Sequence, residues 1–186
     1  MLGETAAMSP PDARPELPPR RPGREPWGCA AVLLPHHTDG SVDWPSFRSL
    51  LERTVAAGLT PAVNMDTGFV QLLSPETRAA VLATTAEVLG GTADPGPSGR
   101  PGRPARPDRF LAGAFVADRA GDRFDPDRYR AELAAVQAAG GTPVVFPSHG
   151  LNALEPDGWV DAHRGFGADT DRFVSTFAPL ADDPAV

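Results

Sequence analysis

Two amino acids are missing from this 186-residue sequence altogether. There is no lysine, so all 17 basic side chains are arginine, and there is no isoleucine. Both residues need A/T-rich codons, and the abundance of Ala, Gly, Pro and Arg fits codon bias. The chemical consequence holds whatever the cause: no lysine within these residues can form a Schiff base. Cysteine occurs once, as Cys29, which excludes an internal disulfide framework and a cysteine zinc cluster and makes a reducing, cytoplasmic setting the expectation. No apolar run approaches the roughly 18–20 residues of a membrane span. The stretch from Met1 to Arg24 is polar and Pro-rich, without the apolar centre of a secretory signal. Positive charge is also in deficit. The net charge of −7 and pI near 5.0 argue against nucleic-acid binding as the main role.

Hydrophobic residues make up 41% of the chain, enough for a buried core. There are 22 prolines and 19 glycines, and 12 of the prolines fall in two segments. Residues 1–26 hold seven prolines and the arginines Arg14, Arg20, Arg21 and Arg24, with few large apolar side chains. Such a segment cannot offset its ordering entropy by burial and is expected to be a disordered tail. Residues 91–109 interleave Arg100, Arg103, Arg106 and Arg109 with proline and glycine, the composition of a flexible inserted loop. Residues 27–186 are otherwise read as one folded domain.

Outside those segments, strand and helix signals alternate. Ala30 to Leu34 reads as a strand, followed by Pro35-His36-His37. A helix opens at Asp43, with Pro45 in its first turn, the apolar stripe Trp44, Phe47, Leu50, Leu51 and Val55, and a stop at Gly58. Pro61 to Met65 reads as the second strand. The loop Asp66-Thr67-Gly68-Phe69 leads to a helix capped by Ser74. The third strand, Phe110 to Val116, precedes a helix opened by Asp125-Pro126 with the stripe Tyr129, Leu133 and Val136. The fourth, Pro143 to Phe146, ends at Pro147-Ser148-His149. The remainder, Trp159 to Phe166 and then Asp171 to Phe177, reads as helical.

Strands begin near 30, 61, 112 and 143. With the inserted loop removed, the repeat is about 31 residues, the spacing of a (β/α)8 barrel of about 250 residues. Short apolar strands suit a parallel sheet buried on both faces. About four units are present where a closed barrel needs eight. The expected fold is therefore α/β, a partial (β/α)8 TIM barrel. Its open edges, strands 1 and 4, and its uncovered inner face predict self-association.

The segment from Ala31 to Arg78 resembles the opening of the dihydrodipicolinate synthase / N-acetylneuraminate lyase family. The resemblance is carried by Val32-Leu33-Leu34-Pro35, the turn Asp39-Gly40-Ser41-Val42-Asp43, the helix end Ala56-Ala57-Gly58, and Asp66-Thr67-Gly68 followed by Leu73-Ser74-Pro75-Glu76-Thr77-Arg78. Val144-Val145-Phe146-Pro147 also fits. It implies the N-terminal half of a class I aldolase-type barrel, a lyase acting on a keto acid through an imine on lysine, with no cofactor. The family loop usually reads Gly-Thr-Thr-Gly-Glu. Thr67 and Gly68 match its second Thr and its Gly, whereas Asp66 stands at the first Thr and Phe69 at the Glu. A carboxylate at Asp66 would repel a substrate carboxylate. After the fourth strand, Ser148 and His149 stand where the family often has tyrosines. The family's lysine and its relay tyrosine lie on later strands than any identified here, so these residues alone are expected to be inactive.

Active sites of such barrels sit at the C-terminal strand ends. There the sequence places His36 and His37, then Asn64, Asp66, Thr67 and Gly68, then Asp118, then Ser148, His149 and Asn152. Asp66, Thr67 and His149 are the candidate catalytic residues: Thr67 as a hydrogen-bond donor to a substrate oxygen, Asp66 or His149 as the proton carrier. Thr67, Gly68, Asn64 and Ser148 are the candidate substrate-binding residues. The bland counterparts are an Asx turn for Asp66, a backbone-bonded loop histidine for His149, and a helix cap for Asp118. Two alternatives stand beside this reading. His36 or His37 with Asp66, Asp118 and His149 would form a metal-dependent lyase or hydrolase site, or the chain has no catalytic role. His163 is expected on a helix surface, and Cys29 at the face opposite the site.

Overall fold

The computed structural model describes residues 28–90, 109–170 and 173–176. The expected tail, 1–26, and nearly all of the expected inserted loop, 91–109, lie outside them.

Five strands form one parallel sheet in the order β1-β2-β3-β4-β5: Cys29–Ala31, Thr60–Val63, Leu111–Ala114, Thr142–Val145 and Val174–Ser175. Each pairs with the next in sequence, in parallel. That unreversed order is how a barrel is wound; an open doubly wound sheet reverses at a switch point. The helices are α1 Trp44–Ala56, α2 Pro75–Gly90, α3 Pro126–Ala138, the short α4 His149–Asn152, and α5 Pro156–Asp169.

The helix signals are met locally. Asp43 caps α1 by accepting from the Ser46 N–H at 3.0 Å, and the Ser46 side chain together with that N–H holds its carboxyl below the usual range. Phe47 and Leu51 are buried, with Trp44, Leu50 and Val55 packed around them. Ser74 Oγ accepts from the Thr77 N–H at the start of α2. Asp125 Oδ1 accepts from the N–H groups of Asp127 and Arg128 and so starts α3, which buries Tyr129, Leu133 and Val136.

The expected helix over Asp171 to Phe177 is not formed among the described residues. Val174 and Ser175 instead pair with Val144 and Val145 as a fifth strand. Two residues are too few to show a strand period, which is why the sequence reads them as part of a helix. The open edges are consequently β1 and β5, not β1 and β4.

Alternate strand residues face two different environments. Val63 and Ala112 pack with α1 and α2, and Ala114 and Val145 pack with α3 and α5. The opposite parity, Ala62, Leu111, Val144 and Phe146, forms its own cluster with Met65 and Phe115 and contains no helical residue. The helices thus cover one face, and the other is the concave side of a half-barrel. At its two ends that concave side is open: Leu33 beyond β1 is 55% exposed and Val174 on β5 is 45% exposed.

Candidate functional site

All five strands run the same way, so the segments leaving β2, β3 and β4 emerge at one end of the sheet. The expected site residues therefore share a rim. The β2 loop and the β4 turn are separated by β3, which puts their backbones on the order of 10 Å apart.

The β2 loop starts at Asn64, buried and left-handed at φ 51°, with its Nδ2 donating to the Arg78 carbonyl at 3.1 Å. Asp66, Thr67 and Gly68 form a single 3-10 turn. Asp66 Oδ1 accepts from the Thr67 N–H at 2.8 Å, and both residues are exposed. This is a local carboxylate-to-backbone bond of the Asx kind. Phe69, where the family loop carries Glu, is a second left-handed residue, at φ 54°, with its ring exposed. A bulky residue in that region is held against its own preference; the anchor beside it is Val70, fully buried.

The β4 turn is built differently. Ser148 is buried and caps α4, its Oγ accepting from the Leu151 N–H at 3.3 Å. His149, half-buried, is the first residue of α4. Asp118, from the β3–α3 loop, closes on this turn: Oδ1 accepts from the His149 N–H at 2.9 Å and Oδ2 from the Gly150 N–H at 2.8 Å. Asp118 is thus a cap, but for α4 rather than for the helix that follows it in sequence. Tyr129 was legible only as part of an apolar stripe. Its hydroxyl donates to the Phe146 carbonyl at 2.9 Å and accepts from the Ser148 N–H at 2.8 Å, both buried. Burial pushes its phenol above the ordinary value, and the Ser148 bond only partly offsets this.

The metal alternative is not supported. Among the described residues no three His, Cys, Asp or Glu side chains gather to hold an ion. His36 and His37 are exposed, with His36 in an isolated antiparallel bridge to Val42, and both Asp118 oxygens are engaged by backbone. Cys29 is an exposed residue of β1 at the end opposite the rim. His163 is not the surface residue expected. Its ring stacks on Trp159 at 3.6 Å and its Nε2 lies 3.0 Å from Ser175 Oγ, joining α5 to β5.

Beside the β2 loop lies a cleft of about 220 Å³, lined among others by Gln71, Arg78, Phe115, Arg128 and Glu132. Arg78 donates to Glu132 at 3.2 Å and to the Leu73 carbonyl, and sits over the Phe115 ring. Two buried polar atoms there, Gln71 Oε1 and Arg78 Nε, have no hydrogen-bond partner among the described residues. Sequence reasoning missed this cleft because its residues come from two separate βα units.

No family model matches the sequence, and no curated protein matches it. Solved structures do match. A putative dihydrodipicolinate synthetase from Pseudomonas aeruginosa superimposes with a TM-score of 0.59 at 15% identity, over 81% of this chain and 45% of that one. Dihydrodipicolinate synthase from Agrobacterium tumefaciens gives 0.56 at 20% identity, over 77% and 42%. A prophage protein of the dihydrodipicolinic acid synthase family from E. coli K12, solved with pyruvate, gives 0.54 at 17%, over 78% and 41%. The chain spans less than half the length of these structures. Its fold is a partial (β/α)8 barrel of the kind found in dihydrodipicolinate synthases. Among the described residues no helix is long and apolar enough to cross a membrane.

Proposed function

We propose that this chain carries the keto-acid-positioning portion of a class I aldolase-type lyase of the dihydrodipicolinate synthase family. The observation that carries the reading is the fit of a consecutively wound half-barrel to several such enzymes. It is supported by Asp66-Thr67-Gly68 lying on the rim where a (β/α)8 barrel does its chemistry. In this reading Thr67 donates a hydrogen bond to a substrate oxygen, and Asp66 or His149 moves the proton. Asn64, Gly68 and Ser148 shape the contact surface. Aldol chemistry of this class needs an imine on lysine, and these 186 residues contain none. In this reading these residues supply no reactive amine, and by themselves they turn over no substrate.

Pyruvate with borohydride tests the chemistry: peptide mapping should find no side-chain adduct, and finding one would overturn the reading. Pyruvate titration followed by amide resonances tests the positioning. Shifts should centre on Thr67 and Gly68, and a loop left unperturbed sinks the proposal. Asp66 opposes the substrate carboxylate, so Asp66→Thr should tighten pyruvate binding by about fivefold, the worth of one like-charge contact at a wet surface.

The half-barrel also accounts for the expected self-association. The apolar side chains Leu33 and Val174 at its two open ends are what a closed barrel would cover.

A further inference from the structure

The turn carrying His149 is tied down more heavily than a connection between β4 and α5 requires. An α-helix leaves its first N–H groups without partners. In α4, a helix of four residues, these are satisfied from two sources: Ser148 takes the Leu151 N–H, and Asp118 takes those of His149 and Gly150. The carboxylate arrives from the preceding βα unit, and bonds from an ionised acceptor are among the stronger ones. A second tie comes from α3, where the Tyr129 hydroxyl bridges Phe146 and Ser148, the residues on either side of Pro147. A third is steric. A Cβ on Gly150 would lie 2.5 Å from the carbonyl carbon of Arg123 and 2.6 Å from the Phe124 nitrogen. The β3–α3 loop therefore lies flat against the turn, with only a glycine between them. Three anchors from one neighbouring unit converge on a few residues, whose titratable side chain is His149.

From this we infer that Asp118 is a positioning residue: its carboxylate, backed by Tyr129 and by the glycine contact at Gly150, fixes the orientation of His149 at the C-terminal end of β4. The inference deepens the rim-site reading and rests on it for the role of His149. The geometry couples the β3–α3 loop to the β4 turn. A change in Asp118 is read out at His149 before it is read out in the core.

The test uses the full chain and its variants Asp118→Ala and Asp118→Asn. The second keeps one acceptor oxygen and the side-chain shape, so it remains informative where the first fails to fold. Amide exchange at His149 and Gly150 should quicken about tenfold in Asp118→Ala, with a smaller change in Asp118→Asn, since the first loses both charge-assisted hydrogen bonds and the second keeps one of the two as a neutral bond. A purely structural brace would do as much, so the deciding measurement is chemical. The rate at which diethyl pyrocarbonate modifies His149, with His36 and His37 as internal references, should change by about threefold or more in both variants as the ring is released to move locally. An unchanged His149 rate in a folded variant, or one that shifts only in step with His36 and His37, overturns the inference. Protection of His149 by pyruvate in the unsubstituted chain reads the rim site separately. Its absence would remove the proposed role of His149 while leaving the effect of Asp118 on the rate intact.

Discussion

Gly113 on β3 lies so close to Asn64 that a Cβ at residue 113 would sit 1.9 Å from the Asn64 carbonyl oxygen. The same Cβ would also be 2.7 Å from the Phe146 ring. Phe146 could turn aside, but a backbone carbonyl cannot. The left-handed conformation of Asn64, which begins the β2 loop, is therefore nested against a strand that must be bare at that point.

Gly113→Ala should consequently destabilise the protein by about 1–3 kcal/mol, the range for overpacking a filled interior. Urea unfolding of the variant checks it. Pairing it with Phe146→Leu should recover little of the loss, because the worse clash is with backbone. Full recovery would place the conflict at the ring instead.

Tyr129 is the chain's one tyrosine, so tyrosinate absorbance reports this residue alone. Burial raises its folded-state pKa. The sign follows: below the ordinary phenol value of about 10 both folded and unfolded chains keep the proton, and the contribution to stability is complete. Above it the unfolded chain ionises first, and stability falls as pH rises through the folded value. The absorbance step should thus appear above pH 10 and coincide with the loss of Trp emission that marks unfolding. A step at the ordinary value in the folded protein would contradict the buried hydroxyl bridge.

Asp125 starts the helix that holds Tyr129 in place, accepting from two N–H groups. Asp125→Ala should cost about 1 kcal/mol, the usual worth of an N-cap. It should also lower protection at Ser148, whose N–H donates to Tyr129. Thermal melts and amide exchange read the two effects; a stability loss that leaves Ser148 untouched would show that the cap and the bridge are independent.

The open ends of the concave face predict concentration-dependent association. Sedimentation should show species larger than one chain, and Leu33→Ser with Val174→Ser should shift the distribution toward monomer. A sharp monomer peak across the concentration range would count against an uncovered inner face.

The sequence by itself determined α1, α2, α3 and the winding. Asp43, Ser74 and Asp125 are caps because their side chains answer N–H groups two or three residues away. The stripes Phe47–Leu51 and Tyr129–Leu133–Val136 are buried because their spacing matches the helical period. These are local relations, and a repeat of about 31 residues extends them to a barrel topology. The position of Asp66-Thr67-Gly68 on the rim was legible for the same reason. What only the tertiary structure decided lies between units. The capture of α4 by Asp118, the Tyr129 bridge, the cleft around Arg78, the His163–Ser175 link and the two-residue β5 each join side chains or strands from different units or carry no period of their own. Partners at such separations are set by how neighbouring βα units pack, and no spacing along the chain encodes that.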